Sequence, residues 1–111
     1  MAGKFELKLA NDDRLYFNLK AGNGEIILSS QMYQARAGAI NGIESVRSNA
    51  PEDERYERLT ATSGQPYFVL KAGNGEVIGR SETYSSSAAM ENGISSVKRN
   101  APAAEIIDLT I

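Results

Sequence analysis

The chain has 111 residues, of which 41% are hydrophobic and 23% charged, a composition typical of one globular domain. Its net charge of −2, with acidic and basic residues interspersed, argues against a nucleic-acid-binding protein. It contains neither Cys nor His, which excludes disulfides, the usual zinc sites and Ser–His or Cys–His nucleophile pairs. No apolar run approaches the roughly twenty residues that span a bilayer, and the N-terminus lacks a signal-peptide core. We therefore expect a cytoplasmic protein that does not enter a membrane.

The first part of the chain predicts three β-strands. Residues 5–9 alternate apolar and charged side chains, the pattern of a strand with one buried face. Residues 11–13, Asn-Asp-Asp, then turn the chain, and a second strand directs Leu15, Phe17 and Leu19 toward the core. Asn23–Gly24 is a strong hairpin signal because both residue types tolerate positive φ, and we expect a type I′ turn there. A third strand follows over residues 25–29.

The period then changes to that of a helix. Apolar residues recur every three or four positions, at Tyr33, Ala37, Ile40, Ile43 and Val46. Gln34 or Ala35 is expected to begin this helix, and Asn-Ala-Pro at residues 49–51 ends it. A glycine in the middle of the helix costs about 1 kcal/mol relative to Ala, so we expect the helix to approach the sheet closely at Gly42.

The same pattern is then written a second time. Tyr16 to Glu25 recurs as Tyr67 to Glu76, an offset of 67 − 16 = 51, and the offset holds without a gap up to the second Asn-Ala-Pro at residues 100–102. The second helix has Ser85 or Ser86 as its expected N-cap. We therefore predict one domain, residues 1–111, made of two repeats at 4–55 and 56–111.

A final alternating segment, residues 107–111, predicts one more strand. By register it corresponds to residues 56–60, which follow the first helix. Each repeat is then three strands, a helix and a closing strand, with the segment 56–61 shared between the repeats. The predicted fold is α+β: tandem β3-α-β repeats that form one mainly antiparallel sheet, with two helices on one face.

The repeated motifs resemble the YegP-like family of uncharacterised bacterial proteins. The resemblance rests on Gly-Asn-Gly-Glu at residues 22–25, Asn-Gly-Ile at 41–43 and Asn-Ala at 49–50, together with their second copies at 73–76, 92–94 and 100–101. It implies a single sheet with exchanged closing strands, and a tandem form that looks like a fused dimer of single units. It supplies no activity, cofactor or catalytic residue. The chain departs from the shared pattern at Leu28/Gly79 and at Arg58, which we expect at a sheet edge or beside the acidic residues 52–54.

Several motifs that resemble functional sites have simpler interpretations. A strand beginning with Glu follows each Gly-Asn-Gly, whereas a phosphate loop is followed by a helix, so a hairpin turn is favoured. The acidic run at residues 52–54 lacks the alternating ligands and central Gly of a calcium loop. Asn41 and Asn92 are expected to be structural amides bonded to backbone, the alternative being a pair that reads a ligand across the pseudo-twofold axis. We therefore predict no catalytic residue, no cofactor and no metal ligand.

The strongest candidate surface lies on the face of the sheet away from the helices. If Phe17 and Phe68 point inward, alternation directs Tyr16, Lys20, Tyr67 and Lys71 outward, with Glu6 and Lys8 beside them. Two symmetric Tyr/Lys pairs are suited to a flat or anionic ligand or to a partner protein, although ordinary solvated cross-strand pairs explain them too.

We therefore predict a monomeric, non-enzymatic binding or protein-interaction module that uses this open face. The expected partner is an unidentified small molecule or protein, and neither nucleic acid nor membrane. Two alternatives remain open: an enzyme that uses Lys, Tyr and carboxylate groups, and a regulatory or stress-associated protein that acts through partners.

Overall fold

The computed structural model describes residues 3–111, and its elements follow the predicted order. The strands are β1 (Lys4–Leu9), β2 (Leu15–Lys20), β3 (Ile26–Ser29), β4 (Tyr56–Thr60), β5 (Pro66–Lys71), β6 (Val77–Arg80) and β7 (Glu105–Asp108). The helices are α1 (Arg36–Asn49) and α2 (Ser87–Asn100), and a 3₁₀ turn at Asp53–Arg55 precedes β4. Each helix ends at the Asn of its Asn-Ala-Pro sequence, as the sequence predicts. Ser86 caps α2 by accepting a hydrogen bond from the Ala89 amide at 3.1 Å, whereas Ala35 begins α1 without a side-chain cap.

Within residues 3–111 the strands form one seven-stranded sheet in the order β4-β5-β6-β3-β2-β1-β7. The two repeats meet where β3 pairs with β6, through Ser29 opposite Arg80, two positions that are 51 residues apart. A pseudo-twofold axis therefore passes through this pair. Pairing is antiparallel except between β1 and β7.

The segments that follow the helices are exchanged between repeats. β4, which follows α1, pairs with β5 of the second repeat, while β7, which follows α2, lies parallel to β1 of the first. Near the start of each segment, equivalent residues of the two repeats are in contact. Lys98 binds Asp53 at 2.8 Å, and Arg47, the counterpart of Lys98, donates to the carbonyl of Ala104, the counterpart of Asp53. From there the symmetry ends, because residues 56–60 become β4 itself, and no described strand covers the outer side of β4.

Both helices pack on one face of the sheet and enclose the core. α1 contacts β2, β5 and β6, and α2 contacts β3 and β5, so each helix bridges both repeats. The fully buried large side chains are Phe5, Leu7, Phe17, Leu19, Leu28, Ile43, Val46, Phe68, Leu70, Ile94 and Val97. Apart from Leu28, those on strands lie at the alternating positions, and those on helices at the three- or four-residue spacing, that the sequence assigns to the core. The predicted α+β fold is confirmed.

Tyrosines that follow β3 and β6 explain the glycines in the middle of the helices. Tyr33 stacks on Phe17 with ring centroids 6.2 Å apart, and its hydroxyl would lie 2.4 Å from a Cβ added at Gly42. In the second repeat the Tyr84 hydroxyl would lie 2.2 Å from a Cβ at Gly93. Only Gly leaves room for these rings between helix and sheet.

The hairpin at Asn23–Gly24 forms, but the predicted type I′ turn is wrong. Ala21 and Glu25 pair across a three-residue loop, and the Gly24 amide donates back to the Ala21 carbonyl at 2.9 Å. Gly24 takes φ +88°, whereas Asn23 does not have positive φ; its side chain accepts a hydrogen bond from the Glu25 amide at 3.0 Å. This is a type I turn followed by one left-handed residue, and Asp13 occupies the same left-handed position in the first hairpin, with φ 69°.

The asymmetric pair Leu28/Gly79 lies beside the pseudo-twofold axis. Leu28 is 1% exposed, and a Cβ added at Gly79 would lie 2.5 Å from Leu28 Cδ2. Both positions face the same small volume of core, which one leucine fills. The departure from repeat symmetry is therefore a packing requirement.

Candidate functional site: the open face of the sheet

No described helix or strand covers the face of the sheet opposite the helices. The side chains on this face form rows that run across the strands. One row, in register through the pseudo-twofold axis, consists of Ile107, Glu6, Asn18, Ser29, Arg80, Val69 and Glu57. Tyr16 and Lys20 flank Asn18 on β2, and Tyr67 and Lys71 flank Val69 on β5. β2 and β5 are three strand spacings apart, about 14 Å. The four candidate residues therefore share one face but form two separate pairs.

In the first repeat, one buried carboxylate lies within ion-pair distance of three lysines. Glu6 is 8% exposed, and its carboxylate lies 3.0 Å from Lys20 Nζ, 3.6 Å from Lys8 Nζ and 3.8 Å from Lys4 Nζ. The hydrogen bond from Lys20 lowers the pKa of Glu6, and this effect exceeds the opposing effect of desolvation. Glu6 is therefore ionised at neutral pH and neutralises one of three adjacent ammonium groups.

Hydrogen bonds across the strands hold this cluster in place. Lys8 Nζ donates to Asn18 Oδ1 at 2.8 Å, and Asn18 Nδ2 donates to Ser29 Oγ at 2.9 Å. Asn18 is 5% exposed, so this chain of contacts lies beneath the exposed ammonium groups. Lys8 is thus fixed toward the centre of the face.

The second repeat has a different surface at the equivalent positions. Lys71 pairs with Glu57 at 2.7 Å, and the Arg80 guanidinium lies over the Tyr67 ring at 4.7 Å from its centroid. Val69, 6% exposed, stands where the first repeat has Asn18. This half of the face is more apolar and has fewer cations.

Taken together, the open face has a positive charge. Its strand residues include five cations and three carboxylates, a net charge of +2: Lys4, Lys8, Lys20, Lys71 and Arg80 against Glu6, Glu57 and Glu105. The whole chain has a net charge of −2. The remaining residues therefore carry a net charge of −4.

Sequence reasoning missed the parts that Arg80 and Asn18 play in this face. Arg80 pairs with Ser29 on the axis, and Asn18 connects Lys8 to Ser29. The offset of 51 does not single out this pair, because every pair of equivalent positions has it; the strand order shows that β3 and β6 meet at the axis. Nothing in the sequence indicates the hydrogen-bonded chain through Asn18.

The expectation for Asn41 and Asn92 is wrong, because both residues are exposed on their helices. Asn92 lines a groove of about 240 Å³ between α2 and the β2–β3 hairpin, together with Tyr84, Glu25 and Glu82. The Tyr33 and Tyr84 rings, rather than the amides, occupy the helix–sheet contact. Burial raises the pKa of Tyr33 and of Tyr84.

Of the acidic residues 52–54, Asp53 takes part in ion pairs around β4. Asp53 contacts Arg58 at 3.1 Å and Lys98 at 2.8 Å, and Arg58 also binds Glu91 at 2.7 Å. Arg58 thus lies on an edge strand and contacts the acidic segment, as the sequence predicts. Among residues 3–111, no group of three or more Asp or Glu is placed to hold a metal ion. The helices described are too short and too polar to cross a membrane.

Comparison with known proteins gives the chain a family. The model of a domain of unknown function, DUF1508, matches twice, at residues 10–57 and 61–108. The chain belongs to the DUF1508 family. The first match contains β2, β3 and α1, and the second contains β5, β6, α2 and β7, so each match covers one repeat without its first strand.

Relatives match this chain over nearly its whole length, which includes both repeats. The UPF0339 protein YegP of Yersinia pestis is 54% identical over 98% of this chain and 97% of its own length, and a UPF0339 protein of Bordetella pertussis is 56% identical over 99% and 98%. The solution NMR structure of a UPF0339 protein from Shewanella oneidensis superposes with a TM-score of 0.92 at 50% identity, over 98% of this chain and 92% of that one. The NMR structure of Escherichia coli yegP gives 0.93 at 49%, over 98% and 94%. The function of the family is unknown, and the suspected YegP-like membership is confirmed.

Proposed function

We propose that this chain is a binding module that recognises a ligand or partner through the open face of its sheet, rather than an enzyme. One observation carries the proposal: this face has a net charge of +2 on a chain with a net charge of −2. Tyr16 and Tyr67 supply aromatic surface beside the charged groups, and such side chains are enriched where proteins bind.

The pKa shifts of two carboxylates argue against their use as general acids. A carboxylic acid that donates protons in catalysis generally has a raised pKa. Here Glu6 and Glu91 both have lowered pKa values, because Lys20 and Arg58 respectively donate hydrogen bonds to their carboxylates. These groups hold the charged form, which is the state that orders neighbouring cations.

Chemical-shift mapping tests the proposal. The ¹⁵N-labelled protein is titrated with a panel of anionic and neutral metabolites and with fractions of a bacterial extract. We expect shifts concentrated on β1, β2, β5 and β6, and their loss in Tyr16→Ala and Tyr67→Ala variants. Lys71→Gln should weaken the same shifts, and Lys98→Gln on the helix side is its matched control, since Lys98 is 31% exposed and Lys71 is 35% exposed. Shifts that spare Tyr16, Lys20, Tyr67 and Lys71 would overturn the proposal.

The proposal includes a monomeric protein in the cytoplasm. The tandem repeat supports a monomer, because it supplies within one chain the second unit that a dimer would otherwise contribute. Sedimentation velocity tests the oligomeric state, and cell fractionation tests the location.

A further inference from the structure

We propose that the open face binds an acidic segment of a partner protein, with its carboxylates over the lysines of the first repeat. This inference rests on the proposed function and specifies the partner's chemistry. It arises from the difference between the two halves of the face, which the symmetry of the fold does not require.

The first half is built to hold cations in excess of its anions. Three ammonium groups lie within 3.8 Å of the single Glu6 carboxylate. Glu105, opposite Lys4 on β7, is the second carboxylate of this half, so its three lysines and two carboxylates leave a net charge of +1. Glu6 is buried and ionised, so it fixes the lysines without projecting toward a ligand. Side chains ordered in this way lose less conformational entropy when an anion binds.

The second half is more apolar at the equivalent positions, where Leu59 is partly exposed and Val69 is buried. Leu59 stands where the first repeat has Lys8, and Val69 where it has Asn18, each 51 residues later. The counterpart of Lys4 is Arg55, which lies in the 3₁₀ turn and donates to Asn49 instead. A matching ligand therefore has most of its carboxylates over the lysines of the first half and an apolar side chain near Leu59 in the second.

The spacing of the cations fits an extended peptide. From β1, which carries Lys4 and Lys8, to β5, which carries Lys71, there are four strand spacings, about 19 Å. Six extended residues span about 20 Å. Arg80 lies between the two ends, over the Tyr67 ring.

Peptide carboxylates suit this surface better than phosphate or nucleic acid. Lysines act as separate point charges, whereas phosphate sites typically add backbone amides at a helix N-terminus. On this face the amides of the inner strands are used in the sheet ladder. A long polyanion would also meet the net charge of −4 on the rest of the molecule.

A titration with a defined peptide tests the inference. The probe is a synthetic hexapeptide with four Asp or Glu residues followed by Leu and Tyr, compared with its charge-reversed Lys version, inorganic phosphate and a single-stranded oligonucleotide. We expect shifts at Lys4, Lys8 and Lys20 with the acidic peptide and none with the basic one. Lys8→Gln should weaken binding about two- to fivefold, the range for one screened ion pair. Arg99→Gln, which removes an exposed cation from α2, should leave affinity unchanged.

The outcomes separate this inference from the proposed function. Equal affinity for wild type and Lys8→Gln, no shifts at millimolar acidic peptide, or tighter binding of phosphate or oligonucleotide would overturn the inference. If neutral compounds then shift the open face, the proposed function survives alone. Matching amide spectra of the variants without ligand establish that Lys8→Gln and Arg99→Gln fold normally.

Discussion

The pair Leu28/Gly79 provides a quantitative test of how the two repeats share one core. The three heavy atoms nearest to a Cβ at Gly79 all belong to the Leu28 side chain, at 2.5, 2.6 and 3.0 Å. Those atoms are Cδ2, Cγ and Cδ1, and Leu28→Ala removes all three. The steric cost of Gly79→Ala should therefore depend almost wholly on residue 28.

The expected energies follow from this geometry. Gly79→Ala alone overpacks the core and should destabilise the protein by about 2 kcal/mol. Leu28→Ala alone leaves a cavity and should cost about 3 kcal/mol. In the double variant the new methyl group partly fills that cavity, so we expect a total loss of about 3 kcal/mol rather than 5, a coupling of about 2 kcal/mol.

Urea unfolding of the wild type, both single variants and the double variant closes this cycle. A coupling of about 2 kcal/mol is well above the roughly 0.5 kcal/mol expected of independent sites. In thermal unfolding, each kcal/mol corresponds to about 4 °C. If Gly79→Ala costs the same in both backgrounds, the two positions do not share one volume and the reasoning is refuted.

Three further changes test the turn, the buried carboxylate and the sheet edge. Asp13→Gly should stabilise the protein by about 0.5 kcal/mol, because relief of left-handed backbone strain exceeds the entropy gained by the unfolded chain. Gly64→Asp at the equivalent position should destabilise it by a similar amount. Urea midpoints measure both changes, and a shift of both midpoints in the same direction would contradict the reasoning. Glu6→Gln should lower stability at pH 7 by about 1 kcal/mol, a figure discounted for solvent screening. Because the folded pKa of Glu6 is depressed, its contribution is present above its ordinary pKa and lost as pH falls through the folded pKa, so the wild-type and variant stability curves should converge in acid; a constant gap contradicts this. Arg58→Val removes a charge from the edge strand β4, where charged side chains oppose pairing with a second chain. We expect the variant to self-associate more than the wild type in sedimentation velocity. An unchanged monomer would show that this charge is dispensable.

Much of the fold follows from the sequence because the period of the apolar residues changes at the correct places. Phe17 and Leu19 alternate as a strand requires, and Ile43 and Val46 recur at helical spacing. The repeat then gives each assignment a second, independent observation. The local sequence pattern and the tertiary packing favour the same secondary structure at these residues, so long-range contacts did not alter the predicted elements.

The turn type was less predictable because Asn-Gly suits more than one loop length. Whether Asn23 must adopt positive φ depends on which residues pair across the hairpin. Here Ala21 pairs with Glu25, so the loop has three residues and only Gly24 is left-handed. Strand register decides this, and it is set by the whole sheet.

The candidate site was predictable as a face but not as a network. Alternation placed Tyr16 and Lys20 outward correctly, yet could not show that Lys20 binds a buried Glu6. Similarly, alternation and helical spacing could not show that the Tyr84 ring, rather than the Asn92 amide, fills the space beside Gly93. Such contacts join segments whose proximity only the folded chain determines.

Lysine reactivity in a bacterial extract tests the role of the open face most directly. Lys20, Lys71 and Lys98 are 24%, 35% and 31% exposed, and each forms an ion pair with a carboxylate, at Glu6, Glu57 and Asp53 respectively. They are therefore well matched for reaction with an amine-selective acylating reagent followed by mass spectrometry. We predict that Lys20 and Lys71 react more slowly in the extract than in buffer, while Lys98 on the helix side reacts at the same rate in both. Protection of Lys98 alone, or equal rates for all three in extract and buffer, would contradict a binding role for the open face.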